Sequence, residues 1–176
     1  MDKLFGLPAH PFLVHIPIVL LPLAAIGTVA MAVRRRWYQS FRWVVLAIAV
    51  VGAGGAAIAA SAGEELEGRI VAIEGEQAAS GWEHHAQLGE TARNVALLYV
   101  VLLAAYVLIP WLLEQRRRST DDPAEAGGGS TPGWLRPALA VLALAGGAAS
   151  MVTIVQAGHT GSKSVWEETV TKGDGG

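Results

Sequence analysis

The sequence holds 176 residues, 52% hydrophobic and 16% charged, with mean hydropathy +0.41. That balance is too apolar for a soluble domain of this length and turns the reading towards a membrane. Net charge is −2 and cysteine is absent, which excludes disulfides, thiolate metal ligands and haem attachment through Cys-x-x-Cys-His.

Residues 12–33 carry no acidic or basic side chain apart from His15. At 1.5 Å per residue they extend about 33 Å, enough for a hydrocarbon core of roughly 30 Å. Pro11 suits the first helical position, with His10 as the entering residue. Pro17 and Pro22 fall inside and free the carbonyls of Leu13 and Ile18, which a membrane helix tolerates when neighbours re-satisfy them. Ala30-Met31-Ala32 imitates a signal-peptide cleavage site, but the apolar run is long and meets Arg34-Arg35-Arg36 at once, so a retained helix is the preferred reading.

A second apolar run covers residues 43–62. Its glycines, Gly52, Gly54 and Gly55, are read in two ways: as close-packing positions between helices, or as room for a flat ligand such as a porphyrin. Residues 63–91 form an acidic outer segment containing Glu64, Glu65, Glu67, Glu74, Glu76, Glu83 and Glu90, with a short interfacial helix expected around Leu66–Ile73. A third helix is expected at 91–113 and a fourth at 134–157, closed by Gly158-His159-Thr160-Gly161 before a polar tail. Residues 119–133, rich in Gly, Ser, Pro and acidic side chains, read as a flexible linker. The expected fold is therefore an all-α, integral membrane four-helix bundle forming a single domain over 1–176.

Orientation follows from arginine. The first connection carries Arg34, Arg35, Arg36 and Arg42, and the third Arg116, Arg117, Arg118 and Arg136; the second has Arg69, with Arg93 just inside the next helix. The positive-inside rule then puts connections one and three in the cytoplasm and both termini outside, as expected for a multi-pass protein of a bacterial plasma membrane. All six tryptophans fall at expected helix ends, as an interfacial belt requires.

In that topology every histidine lies near the outer face: His10 and His15 open helix one, His84 and His85 precede helix three, and His159 closes helix four. Imidazole suits haem iron, copper and zinc, and helical bundles build such sites from facing helices. His10 and His15 diverge by about 140° on one ideal helix, so both serve one metal only if His10 is pre-helical; more economically, one is a ligand and the other belongs to its surround or to a second site. On helix three, His85, Gly89 and Arg93 share a face; Arg93 either meets a carboxylate or haem propionate, or pairs with Glu90 three residues earlier. No triad, P-loop or dinucleotide fingerprint is present.

Four motifs carry a resemblance. They are G-L-P-x-H-P-x-x-V-H at Gly6–His15, the Ser61, Gly63 and Glu64 that close helix two, H-A-x-L-G-E at His85–Glu90, and G-H-x-G-x-K-x-V-W at Gly158–Trp166. With these the chain resembles the bacterial membrane-protein family known as domain of unknown function 2231. The resemblance implies four spans and a shared outer polar cluster formed by His10, His15, Glu64, His85, Glu90, His159 and Lys163; His84 matches none of its hallmarks.

The leading expectation is a membrane protein that binds haem b, or copper or zinc, between helices one, three and four for electron transfer. His15, His85 and His159 are the expected metal ligands, with His10, Arg93 and Lys163 completing the cofactor site and Glu64 and Glu90 behind them. This favours an electron-transfer or binding protein over a hydrolase or transferase. The expected partners are the bilayer and either a redox protein or a second copy of the chain; no basic stripe with interleaved aromatics points to nucleic acid. The rival expectation is a non-redox scaffold, accessory subunit or pH-sensing module without cofactor. A transporter ranks third, since four helices are few for alternating access.

Overall fold

The computed structural model describes residues 3–4, 7–8, 10–75, 82–118 and 132–173. The expected linker at 119–133, apart from residues 132 and 133, lies outside them. A two-rung antiparallel ladder, β1 (Lys3–Leu4) with β2 (Leu7–Pro8), leads into α1 (His10–Leu13) and α2 (His15–Val33). Then follow α3 (Arg35–Glu74), α4 (Glu83–Arg118) and α5 (Leu135–Gly173). Four of these stretches are long and apolar enough to cross a membrane: His10–Val33, Arg35–Ile73, Glu83–Arg116 and Leu135–Lys163.

The first span begins at His10, and Val14 interrupts it between α1 and α2. Pro17 explains the break, because it cannot donate to the Leu13 carbonyl one turn back. Pro110, inside α4, frees the Tyr106 carbonyl in the same way. Here the repair is visible: the Tyr38 hydroxyl on α3 donates towards the carbonyls of Tyr106 (3.2 Å) and Val107 (3.3 Å). A neighbouring helix thus supplies the missing donor.

Three expected boundaries are corrected. The third helix, expected at 91–113, runs from Glu83 to Arg118 and so contains His84 and His85. Helix α3 does not stop near residue 62 but runs on to Glu74, where Gly75 at φ +87° ends it and returns its N–H to the Val71 carbonyl. Ala and Glu supply eight of residues 59–74, and both favour helix more than an irregular connection. Helix α5 likewise passes through Gly158–Gly161 to Gly173. There the hydroxyls of Thr160 and Ser162 fold back on preceding helix carbonyls, which satisfies them without breaking the helix.

The helices form a closed ring: α2 packs on α3, α3 on α4, α4 on α5, and α5 back on α2. Its interior is small and largely aliphatic, with Ala24, Ala49, Ala53, Ala96 and Ala143 buried around Leu21 and Leu103. Val19, Ile26, Val101, Val141 and Val155 point outwards and are exposed. Aliphatic side chains outside, and many alanines packed between Tyr38, Tyr99, Tyr106 and Met31 inside, suit a bundle solvated by lipid, where close backbone approach drives association. A buried hydroxyl pair crosses this interior: Thr28 Oγ1 lies 2.7 Å from the Tyr99 hydroxyl and donates to the Ala24 carbonyl.

The glycines of α3 resolve into packing. A Cβ at Gly55 would fall 2.5 Å from Ile16 Cγ2, and one at Gly52 2.9 Å from Leu21 Cγ, whereas Gly54 faces open space. The missing side chains are therefore filled by the first span.

Candidate functional site

Antiparallel succession brings the start of α1, the end of α3, the start of α4 and the end of α5 to one end of the bundle. At that end His10 and His85 meet edge to face, with centroids 6.1 Å apart and planes at 86°. Each ring is held by its Nδ1. His10 Nδ1 lies 2.8 Å from the Ala59 carbonyl of α3, an acceptor, so it carries the proton. His85 Nδ1 is 3.3 Å from Thr160 Oγ1, with the Ala157 carbonyl as a further acceptor beside the ring. The Thr160 proton is committed to the Gln156 and Ala157 carbonyls, so the hydroxyl accepts from His85. In their neutral forms both imidazoles consequently keep a lone pair on Nε2, the arrangement that outer hydrogen bonds impose on ligating histidines.

Two glycines make the room. A Cβ at Gly161 would stand 2.7 Å from His85 Cε1, and a Cβ at Gly63 3.2 Å from the His10 ring. The rings open onto a cleft of about 110 Å³ whose rim includes Glu64, Glu67, Trp82, Gly89 and Glu90. Arg93 spans that rim and pairs with Glu64 at 3.5 Å and Glu90 at 3.2 Å. Of the two readings of Arg93, the ion pair with Glu90 is therefore present, extended to a second carboxylate on α3.

The expected site residues divide. His10, His85, Glu64 and Glu90 line the cleft and Arg93 braces it. His15 and His159 do not line it. His15 is exposed, with Nδ1 2.8 Å from the Pro11 carbonyl of its own helix, and His159 is exposed on α5. Lys163 and His84 are exposed too. Their angular position is the reason: five residues of helix separate His10 from His15, and His159 precedes the inward-facing pair Thr160 and Gly161. Among the described residues no group of three or more His, Asp or Glu side chains is gathered tightly enough to hold a metal ion as it stands. Thr160, Gly63 and the Ala59 carbonyl were not singled out in the sequence for this role. With α5 continued past residue 157, Thr160 falls on the α4-facing side, and only that continuation could have revealed it.

A model of the family described as predicted membrane protein, domain of unknown function 2231, matches residues 6–174. The chain belongs to that family. The match takes in the opening histidine motif, all four spans and the whole of the C-terminal helix, so the cleft of this DUF2231 protein is built wholly from within the family domain. No curated protein and no solved structure matches the chain.

Proposed function

We propose that this DUF2231 protein binds a transition-metal ion between His10 and His85 and serves electron transfer at the extracytoplasmic side of a bacterial plasma membrane. The observation that carries this reading is the pairing of two imidazoles whose Nδ1 atoms are both tied to acceptors. An imidazole ligand keeps its centroid roughly 3 Å from the ion, so two rings on one ion stand up to about 6.4 Å apart; the observed 6.1 Å fits within that. Glu64, Glu67 and Glu90 line the same cleft and are the carboxylates that would complete a coordination shell.

Imidazole and carboxylate together suit copper, zinc or iron, and of these copper and iron supply redox chemistry. Haem b fits less well, because the cleft of about 110 Å³ is below the roughly 300–1,000 Å³ of ordinary cofactor pockets. The orientation rests on the arginine-rich connections, which favour the cytoplasmic side and leave the histidine end outside.

Arg93, whose charge is matched by Glu64 and Glu90, favours a second reading: a non-redox scaffold or pH-responsive module whose polar end contacts a partner protein or a second copy. Elemental analysis and an absorbance scan of the purified protein separate the two. The first reading expects copper or iron lost on His10→Ala and on His85→Ala; a Soret band would reinstate haem. Metal-free, featureless protein would leave the second reading standing.

A further inference from the structure

At the opposite end of the bundle, two cations from different helices share one aromatic ring. The Arg136 guanidinium carbon of α5 lies 4.0 Å from the Tyr38 ring centroid, and that of Arg42 on α3 lies 5.6 Å from it. Neither forms an ion pair with a carboxylate among the described residues, and Arg42 Nε is buried without an acceptor. The aromatic face compensates part of the hydration that a guanidinium loses, but not the repulsion between two like charges.

The surroundings fix the depth. Trp43 and Trp111 meet edge to face at 5.5 Å, and Arg42 lies 5.6 Å from the Trp43 ring. Tryptophans grouped at a span end sit at headgroup level. The anion available there is a phospholipid phosphate, whose oxygens match a guanidinium fork. Below this level Val44 and Val51 leave an exposed apolar flank on α3.

We propose that Arg42 and Arg136, set on Tyr38, bind the phosphate of an anionic phospholipid in the leaflet at the arginine-rich end. Phosphatidylglycerol supplies the missing negative charge, while its acyl chains lie along the flank of α3. Phosphatidylcholine, whose phosphate is neutralised by its own ammonium, binds more weakly.

Native mass spectrometry of the full-length protein, titrated with phosphatidylglycerol or phosphatidylcholine, tests this. Wild type retains phosphatidylglycerol preferentially. Arg42→Gln with Arg136→Gln weakens that retention roughly thirty-fold, as expected for two headgroup contacts. The pair Arg35→Gln with Arg36→Gln, on exposed positions at the start of α3, keeps most of it. Should the glutamine pair not fold, Arg42→Lys with Arg136→Lys keeps the charge without the fork and is expected to fall between the two. Equal losses from the Arg42/Arg136 and Arg35/Arg36 pairs would reduce the effect to diffuse attraction and overturn the site. Displacement of the lipid by millimolar inorganic phosphate would also overturn it, by making free phosphate the ligand.

Discussion

The His10 and His85 imidazoles stand 6.1 Å apart at right angles, one fixed by a backbone carbonyl of α3 and the other by the Thr160 hydroxyl of α5. Two helices besides the histidines' own thus set the rings. Thr160→Val removes the hydroxyl while nearly preserving shape, and is expected to weaken metal retention about 10–100-fold. Metal-competition titration of the purified variant measures this, with His159→Ala as the exposed neighbour that leaves retention unchanged.

The two glycines of the C-terminal motif should separate cleanly. At Gly161 a methyl would press on His85 Cε1 at 2.7 Å, whereas at Gly158 it meets nothing within 4 Å. Gly161→Ala is therefore expected to displace the ring and lose bound metal. Gly158→Ala keeps the metal and raises helix stability by up to about 1 kcal/mol. Metal content and thermal unfolding in detergent, read on both variants, check the pair.

Tyr38→Phe tests the repair beside Pro110. The variant keeps the ring but leaves the Tyr106 carbonyl without its cross-helix donor. A loss of about 0.6–1.7 kcal/mol is expected, the range of interhelical hydrogen bonds in membranes. Unfolding in mixed micelles should register it, and no change would assign that carbonyl to water or lipid.

A third contrast addresses packing on α3. Gly55→Ala places a methyl 2.5 Å from Ile16 Cγ2 and is expected to destabilise by about 1–3 kcal/mol. Gly54→Ala, with open space around it, should be neutral or slightly stabilising. The same unfolding assay distinguishes them.

Much of this was legible in the sequence because hydropathy and helix length act locally. Charge-free runs of 20 or so residues fixed the four spans, and the histidine motifs announced one polar end. The histidine facing His85 was harder to read. Choosing His10 over His15 depends on the rotation of the first span, which the break at Val14 and the packing against Ala59 decide together. The reach of α3 and α5 was missed because the acidic segment after residue 62 and the glycines of Gly158–Gly161 suggested ends, while neighbouring helix formers carried the helix through. The partners of Arg93 were half legible: Glu90 is three residues away on the same helix, but Glu64 arrives from α3 only through tertiary packing.

X-ray absorption at the metal edge of copper-loaded protein tests the central claim most directly. The account predicts two imidazole nitrogens at about 2.0 Å, reduced to one in His10→Ala and in His85→Ala and unchanged in His15→Ala. A first shell of oxygens alone, or an imidazole count that follows His15 instead, would contradict it.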